Sequence, residues 1–438
     1  MPKTLEERLE AHPELKAQME HLLDISESDI KKADDVELRT VESIKIVGQQ
    51  VIQQWAEQQA QKTSDAAKDL NGSELTGKGK KKLSWTTTLG EIAVMEQVFK
   101  WTAGGTWRPF GESAEISYRG YSLLFQRRIT DFGAEKSFGK AARQFKEHYG
   151  FDIPESAARR ITEAHGEAID GHPELLQGET SPDAKAQLIG ETDGTMVPIV
   201  NMDPSQDGDQ RKTRAVCWKE ARLALVYEQG MVNPIYGATT GSPTQVGEEL
   251  ANCALHVGWG GQTKVHGVGD GASWIANQFE ERFGAQGSYL IDLFHLGEYL
   301  AAASKSCSCD SDTWYRKMKA HALADQMDTV LNAMKPHIEP KEVDDKNAPV
   351  RACDRYIRNR PEQFNYQAAL LADLPVGSGK IESAHRYIAQ SRLKIPGAWW
   401  KIENVDKMLA LRVSRANGNW EKYWDSLKPD SYVSAPMN

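Results

Sequence analysis

Three acidic residues are set in stretches where a carboxylate could do chemistry. Asp193 lies in Gln187-Leu-Ile-Gly-Glu-Thr-Asp193-Gly-Thr-Met-Val-Pro-Ile-Val200, between two apolar runs. Asp270 closes Lys264-Val-His-Gly-Val-Gly-Asp270-Gly, a short strand pattern that runs straight into a helix starting near Ala272. Glu382 lies in Gly377-Ser-Gly-Lys-Ile-Glu382-Ser, at the head of a helical stretch reaching about Arg392. Three carboxylates held by rigid elements can converge on two divalent cations. Hard Mg²⁺ or Mn²⁺ prefers oxygen ligands and keeps waters that a substrate phosphate can replace. The chemistry expected of such a cluster is metal-dependent cutting and rejoining of a phosphodiester strand.

Each acid also has a plainer reading. Asp193-Gly194 between apolar runs is a strong hairpin signal. Asp270 would serve as an N-cap for the helix that follows it. Glu382 would be favoured in a first helical turn by the helix dipole. Gly377-Ser-Gly-Lys380 hints at a phosphate loop, but Lys380 is followed by Ile and the Walker spacing is missing, so a nucleotide triphosphatase is rejected. Turn and cap roles, however, make no demand on the order of the surrounding elements, and that order is informative.

From Ala186 to Ser304 strand and helix patterns alternate. Strand signals cover Gln187–Thr192, Met196–Val200 and Arg222–Tyr227. A helix over Thr244–Val257 follows, with Val246, Leu250, Cys253, Ala254 and Val257 along one face. Then come a strand to Val268, a helix Ala272–Phe283, a strand Ser288–Ile291 and a helix from about Phe294. Three antiparallel strands followed by helix, strand, helix, strand is the order of a ribonuclease H-like mixed α/β core. Asp193 and Asp270 would end neighbouring strands there, on the edge where sites form. Residues 304–373 interrupt this core with helical patterns, over Trp314–Met334 and Val350–Leu371, and a break at Pro336–Pro349. Residues 374–438 complete it with the Glu382 helix, a Pro396-Gly397 turn and a helix near Trp400–Arg415.

Upstream, residues 1–70 read as an acidic helical region, with helices over Leu5–Leu23 and Ala33–Ala67. Residues 71–185 read as a basic linker and a helix-turn-helix-containing DNA-binding region. Lys62–Lys82 is rich in Lys, Gly and Ser and suggests a flexible basic linker. Ser84–Val98 suggests strand then helix. Ser137–Gly150 reads as an amphipathic helix ended by a C-cap glycine, and Pro154–His165 as a second helix presenting Arg159 and Arg160. That pair is either a helix-turn-helix or an ordinary helical hairpin. Around Glu382, basic residues Arg386, Arg392 and Lys394 stand near Trp399 and Trp400, a mixture suited to holding DNA ends or to a packed core.

Composition bounds these readings. The 438 residues, 40% hydrophobic and 26% charged, suit a globular protein of two to four domains. No apolar run is long enough for a membrane span and the first residues lack a signal peptide's apolar core. The five scattered cysteines point to a reducing cytoplasm. Cys307-Ser-Cys309 has no second close pair, so these read as structural thiols rather than zinc ligands. The net charge of −9 speaks against a nucleic-acid partner until its distribution is considered. Residues 78–146 carry 13 Lys and Arg against 6 Asp and Glu, and residues 380–428 carry 10 against 5, while the first 70 carry 9 against 15. Two basic segments in an acidic chain fit local contact with phosphate.

Asp193-Gly-Thr, Gly269-Asp-Gly-Ala-Ser-Trp274, Asp292-Leu-Phe-His295 and Gly377-Ser-Gly-Lys-Ile-Glu-Ser383 together resemble the sequence blocks of DDE transposases of bacterial insertion sequences, the Mutator-like branch most closely. The resemblance spans roughly Gln187 to Trp400. It implies a ribonuclease H-like core with an all-helical insertion. Asp193, Asp270 and Glu382 become the catalytic, metal-holding triad, and Asp292 and His295 an acid and histidine beside it. It further implies two Mg²⁺ (or Mn²⁺) ions, terminal inverted repeats and target DNA as partners, homo-oligomers, and a cytoplasmic, nucleoid-associated protein. A nuclease that only hydrolyses, or a DNA-binding protein whose catalysis has lapsed, are the alternatives.

Overall fold

A computed structural model describes residues 4–69, 75–201 and 214–429 of the chain. It divides into two compact units, residues 1–132 with 138–158, and 133–137 with 159–438.

The first unit opens with helices Leu5–Glu10, Pro13–Ser26 and Ala33–Asp69. Strands β1 (Leu75–Thr87), β2 (Gly90–Trp101), β3 (Thr106–Trp107) and β4 (Gly120–Tyr121) form a sheet in the order β3-β2-β1-β4. Leu83 and Trp85 of β1 and Ile92 and Val94 of β2 bury against Ala56 and Ala60 of the long helix and against Phe110. Two expectations are corrected here. The stretch read as a flexible linker is the end of a helix and the start of a strand, with residues 70–74 outside the described residues. The segment Ser84–Val98, expected as strand then helix, is a β-hairpin. Its buried positions 83, 85, 92, 94, 96 and 98 alternate with period two, which places them on one sheet face. Good helix formers such as Ala93, Met95 and Glu96 masked that period. Phe138–Tyr149 is helical and stops at Gly150, whose φ of 78° is the left-handed C-cap conformation. Glu155–Ile169 is the next helix, and the division between units falls inside it, after Ala158.

The second unit is built on a five-stranded mixed sheet: β5 (Gln187–Asn201), β6 (Ala215–Glu228), β7 (Ile235–Thr239), β8 (Lys264–Gly269) and β9 (Gly287–Ile291), in the order β7-β6-β5-β8-β9. β5, β6 and β7 are antiparallel neighbours, and β8 and β9 join in parallel. Here too the sequence reading is corrected. The two runs either side of Asp193-Gly194 are not a hairpin but one 15-residue strand, and the third antiparallel strand is Ile235–Thr239. Gly194 stays extended, and a Cβ there would collide with the Glu220 side chain on β6, so the glycine serves close cross-strand packing.

Helices Pro243–Val257 and Ser273–Phe283 cover one sheet face. Leu188, Val265, Leu250, Ile275 and Phe279 share one buried cluster there, and a Cβ at Gly190 or Gly267 would touch the Phe279 ring. By the two-residue alternation of a strand, Glu191, Asp193 and Val268 point to the other face. Helix Leu293–Cys307 leaves β9. Helices Ser311–Leu323, Met327–Met334, Pro349–Arg358 and Tyr366–Leu371 then make up the insertion, more interrupted than expected. Its core is continuous with Leu290 and Ile291 of β9. The chain returns through helix Gly379–Ala384, a π-helical stretch His385–Gln390 and a last turn Ser391–Leu393. Trp400 then hydrogen-bonds across Pro198 and Val200 at the far end of β5.

Candidate active site

Register places the acids. On β5 and β8 the last paired rung is Glu191 with Val268, and on β8 and β9 it is Gly269 with Ile291. The latter pairing carries one residue further, since Asp292 N donates to the Gly269 carbonyl at 2.7 Å. Extending this register puts Asp193, inside β5, in one row with Asp270 and Asp292, each one residue past the end of its strand, on one face, with neighbouring strands ~4.8 Å apart. The sequence reading expected Asp193 and Asp270 at the ends of neighbouring strands; the strands are neighbours, but Asp193 lies inside β5.

Glu382 is brought to this line by its helix. The buried Glu191 carboxylate accepts Ile381 N at 2.9 Å and the Tyr227 hydroxyl at 3.2 Å, fastening the helix to β5. Lys380 lies 3.4 Å above the Tyr227 ring and donates to the Met231 carbonyl. Burial is the largest influence on Glu191 and raises its pKa to about 7, opposed by those hydrogen bonds. From the other side Asp292, 2% exposed, accepts Ser378 N at 2.7 Å and the Ser378 hydroxyl on Oδ2, and Phe294 N on Oδ1. One carboxylate therefore caps the helix after β9 and clamps the turn before Glu382.

Ligand atoms of Asp292, His295 and Glu382 all lie within 4.8 Å of one another. Among the described residues that is the one trio of potential ligands drawn so close; Asp193 and Asp270 are not in it. His295 Nδ1 is 3.4 Å from Glu298. Asp270 Oδ1 accepts Ala272 N at 2.7 Å, a turn contact just ahead of the helix rather than the N-cap expected of it, since the helix starts at Ser273 with Ala272 at the cap position. Its backbone is pinned from the insertion: Tyr356 donates to the Asp270 carbonyl at 2.7 Å, and Arg360 Nε to that of Gly271 at 2.6 Å.

Two residues near the acids were missed by sequence reasoning. Glu191 stands two residues before Asp193, on the same strand face. His385, one turn after Glu382, is buried and sets Nε2 3.2 Å from Asp193 Oδ2, outside hydrogen-bond geometry. Those spacings of two on a strand and three on a helix were the available signals.

Electrostatics favour a cation. Among the described residues no Lys or Arg forms an ion pair with Asp193, Asp270, Asp292 or Glu382, and the Glu382 carboxylate has no hydrogen-bond partner. Clustered carboxylates repel unless neutralised. The oxygen donors of Asp193, Asp270 and Glu382 suit Mg²⁺ or Mn²⁺, and the imidazole of His295 beside Glu382 suits Mn²⁺ better than Mg²⁺.

The residues expected to touch DNA divide. Arg159, Arg160 and Arg386 are exposed. Lys394 is exposed too, though its ammonium reaches the Thr195 hydroxyl at 2.8 Å. Arg392 is corrected: it is 1% exposed, donates Nε to the Gly133 carbonyl at 2.9 Å and lies 4.7 Å over the Trp400 ring. Burial pulls its pKa down to about 10. It is a core residue, as is Trp400, whereas Trp399 is exposed and stacked under Arg214.

Cys217, Cys253, Cys307, Cys309 and Cys353 are all free, and no helix among the described residues is long and apolar enough to cross a membrane.

This mixed-sheet chain, with a row of acids across neighbouring strands, belongs to the uncharacterised protein family UPF0236, whose model matches residues 191–425, more than half of its length. The match spans the sheet from Glu191, the insertion and the Glu382 helix. No curated protein matches the chain. Among solved structures, the Drosophila P element transposase strand transfer complex is similar over 72% of this chain and 83% of that chain, at 10% identity and a TM-score of 0.27. That likeness is too weak to carry either fold or function.

Proposed function

We propose that the chain is a DNA transposase of the DDE type, with a ribonuclease H-like core that cuts at transposon ends and joins the exposed 3′-hydroxyl to target DNA. The observation that carries this reading is the row of Asp193, Asp270 and Asp292 across three neighbouring strands, with the Glu382 helix fastened over it. Asp193, on the central strand, is assigned the bridging position; Asp270 and Glu382 complete the two halves. Two divalent ions held there would neutralise the scissile phosphate and activate the attacking hydroxyl. The protein's own part is to hold the carboxylates still, because small misplacements cost rate steeply. Glu191 and Asp292 do so by fixing the Glu382 helix at Ile381 and Ser378. Arg386 and Lys394 are assigned to steadying a DNA strand near Glu382, and Arg159 and Arg160 to contacting the terminal repeats.

The test is strand transfer of a pre-cut end into plasmid DNA with Mg²⁺. Wild type should give joined product, and Asp193→Asn should drop it to background while duplex binding persists. Joining retained by Asp193→Asn would remove the metal assignment. Cleavage without joined product would mark a hydrolytic nuclease, and binding with neither would mark a lapsed enzyme.

A further inference from the structure

In the first unit, the outer half of β1 is unlike the rest of the sheet. Residues 76–82 are exposed without a break, whereas 83–85 are buried. They include Lys78, Lys80, Lys81 and Lys82, and Lys100 is exposed on the facing end of β2. None of these five ammonium groups has an acid partner among the described residues. Glu96, directly opposite Lys81, is buried and committed to Arg108 at 2.8 Å and to Gly111 N at 3.0 Å. On its other side β1 meets β4 at Trp85 and Thr86, and Arg119 N donates to the Ser84 carbonyl at 2.7 Å, so over residues 75–83 it is an edge strand among the described residues. A bulge at Lys78-Gly79, made possible by the φ of +80° at Gly79, shifts the register before Lys80. Beyond it, Lys80 and Lys82 share one face and Lys81 takes the other, so the strand is positive on both sides.

We infer that this lysine-bearing β-ribbon is a second contact to duplex DNA, gripping the phosphate backbone apart from the carboxylate site. A two-stranded ribbon fits the major groove, and unpaired lysines gain by displacing condensed counterions. The inference rests on the proposal that DNA is the partner. Its rival is that lysines merely keep an open sheet edge from pairing with another chain.

The experiment measures binding of the full chain to a random 30-base-pair duplex across a sodium chloride series, without divalent cations. Replacing Lys80, Lys81 and Lys82 by Gln should weaken binding about tenfold or more. It should also flatten the plot of log affinity against log salt by about 2.7, at ~0.9 per phosphate contact. The three Lys→Arg replacements should restore both. In wild type, amine-reactive labelling of the three lysines should fall when DNA is added, which needs no variant to fold. Unchanged slope and labelling with DNA still bound would overturn the ribbon but leave the transposase reading standing. Unchanged DNA binding with new self-association of the Gln variant would establish edge protection instead. Failure of wild type to bind any duplex would overturn both.

Discussion

Asp292 has more to do than an acid standing beside a catalytic cluster. Its two oxygens take three donors from two segments, Phe294 N on one side and Ser378 N and hydroxyl on the other. Asp292→Ala should cost about 1–3 kcal/mol for each donor left buried and unpaired, read as a fall in the denaturant midpoint. Asp292→Asn should lose less, since its carbonyl oxygen can still accept. Glu249, on helix Pro243–Val257, makes a separate prediction. Burial is the chief cause that lifts its pKa from 4.5 to about 7, against the hydrogen bond from Gln177. The folded chain then keeps a proton that the unfolded chain releases near 4.5. Stability from this group is complete below that value and is lost as pH climbs through about 7. Glu249→Gln should flatten the decline in urea midpoint between pH 5 and 8; an unchanged profile would show that the carboxyl is solvated. Glu191 acts in the same direction and leaves a residual slope.

Elements matter most where the insertion meets the sheet. Gly271 has φ +84°, and a Cβ there would lie 2.6 Å from the Tyr356 hydroxyl. Gly271→Ala should therefore cost about 1–2 kcal/mol from the left-handed backbone alone, plus the displacement of Tyr356. Tyr356→Phe combined with Gly271→Ala should recover only the second part, which a double-mutant cycle would resolve. The insertion is also no detachable module. Leu290 and Ile291 of β9 share its buried cluster with Val330, Val350 and Tyr366. Replacing residues 308–365 by a short linker should leave an aggregating chain, and a soluble, cooperatively melting product would refute that.

At the level of the molecule, two units of unequal size are each built on their own sheet. Calorimetry of the full chain should give a measured unfolding enthalpy larger than the van't Hoff value, the mark of more than one cooperative step. Equal enthalpies would make the chain a single cooperative body.

Local sequence determined what depends on neighbours along the chain. The helices at Pro243–Val257, Ser273–Phe283 and Phe138–Tyr149 were legible because an apolar stripe at helical spacing is a local pattern, as is the glycine that closes the last of them. Asp270 and Glu382 stood out because a strand pattern ends before the first and a helix begins around the second. The reading failed where long-range pairing outweighed local propensity. Asp193-Gly194 looks like a turn, yet 14 rungs with β6 keep the strand straight through it. The hairpin β1–β2 uses helix-forming residues because the long helix Ala33–Asp69 gives its alternate side chains something to cover. Arg392 carries the charge of a DNA contact, but only the folded chain shows the Gly133 carbonyl and Trp400 ring that bury it. Nor could any spacing show that Glu191 reaches Ile381, 190 residues away, or that His385 meets Asp193. Side-chain type and sequence distance set which groups are on hand; register and helix docking, which couple segments far apart in the chain, decide which of them meet.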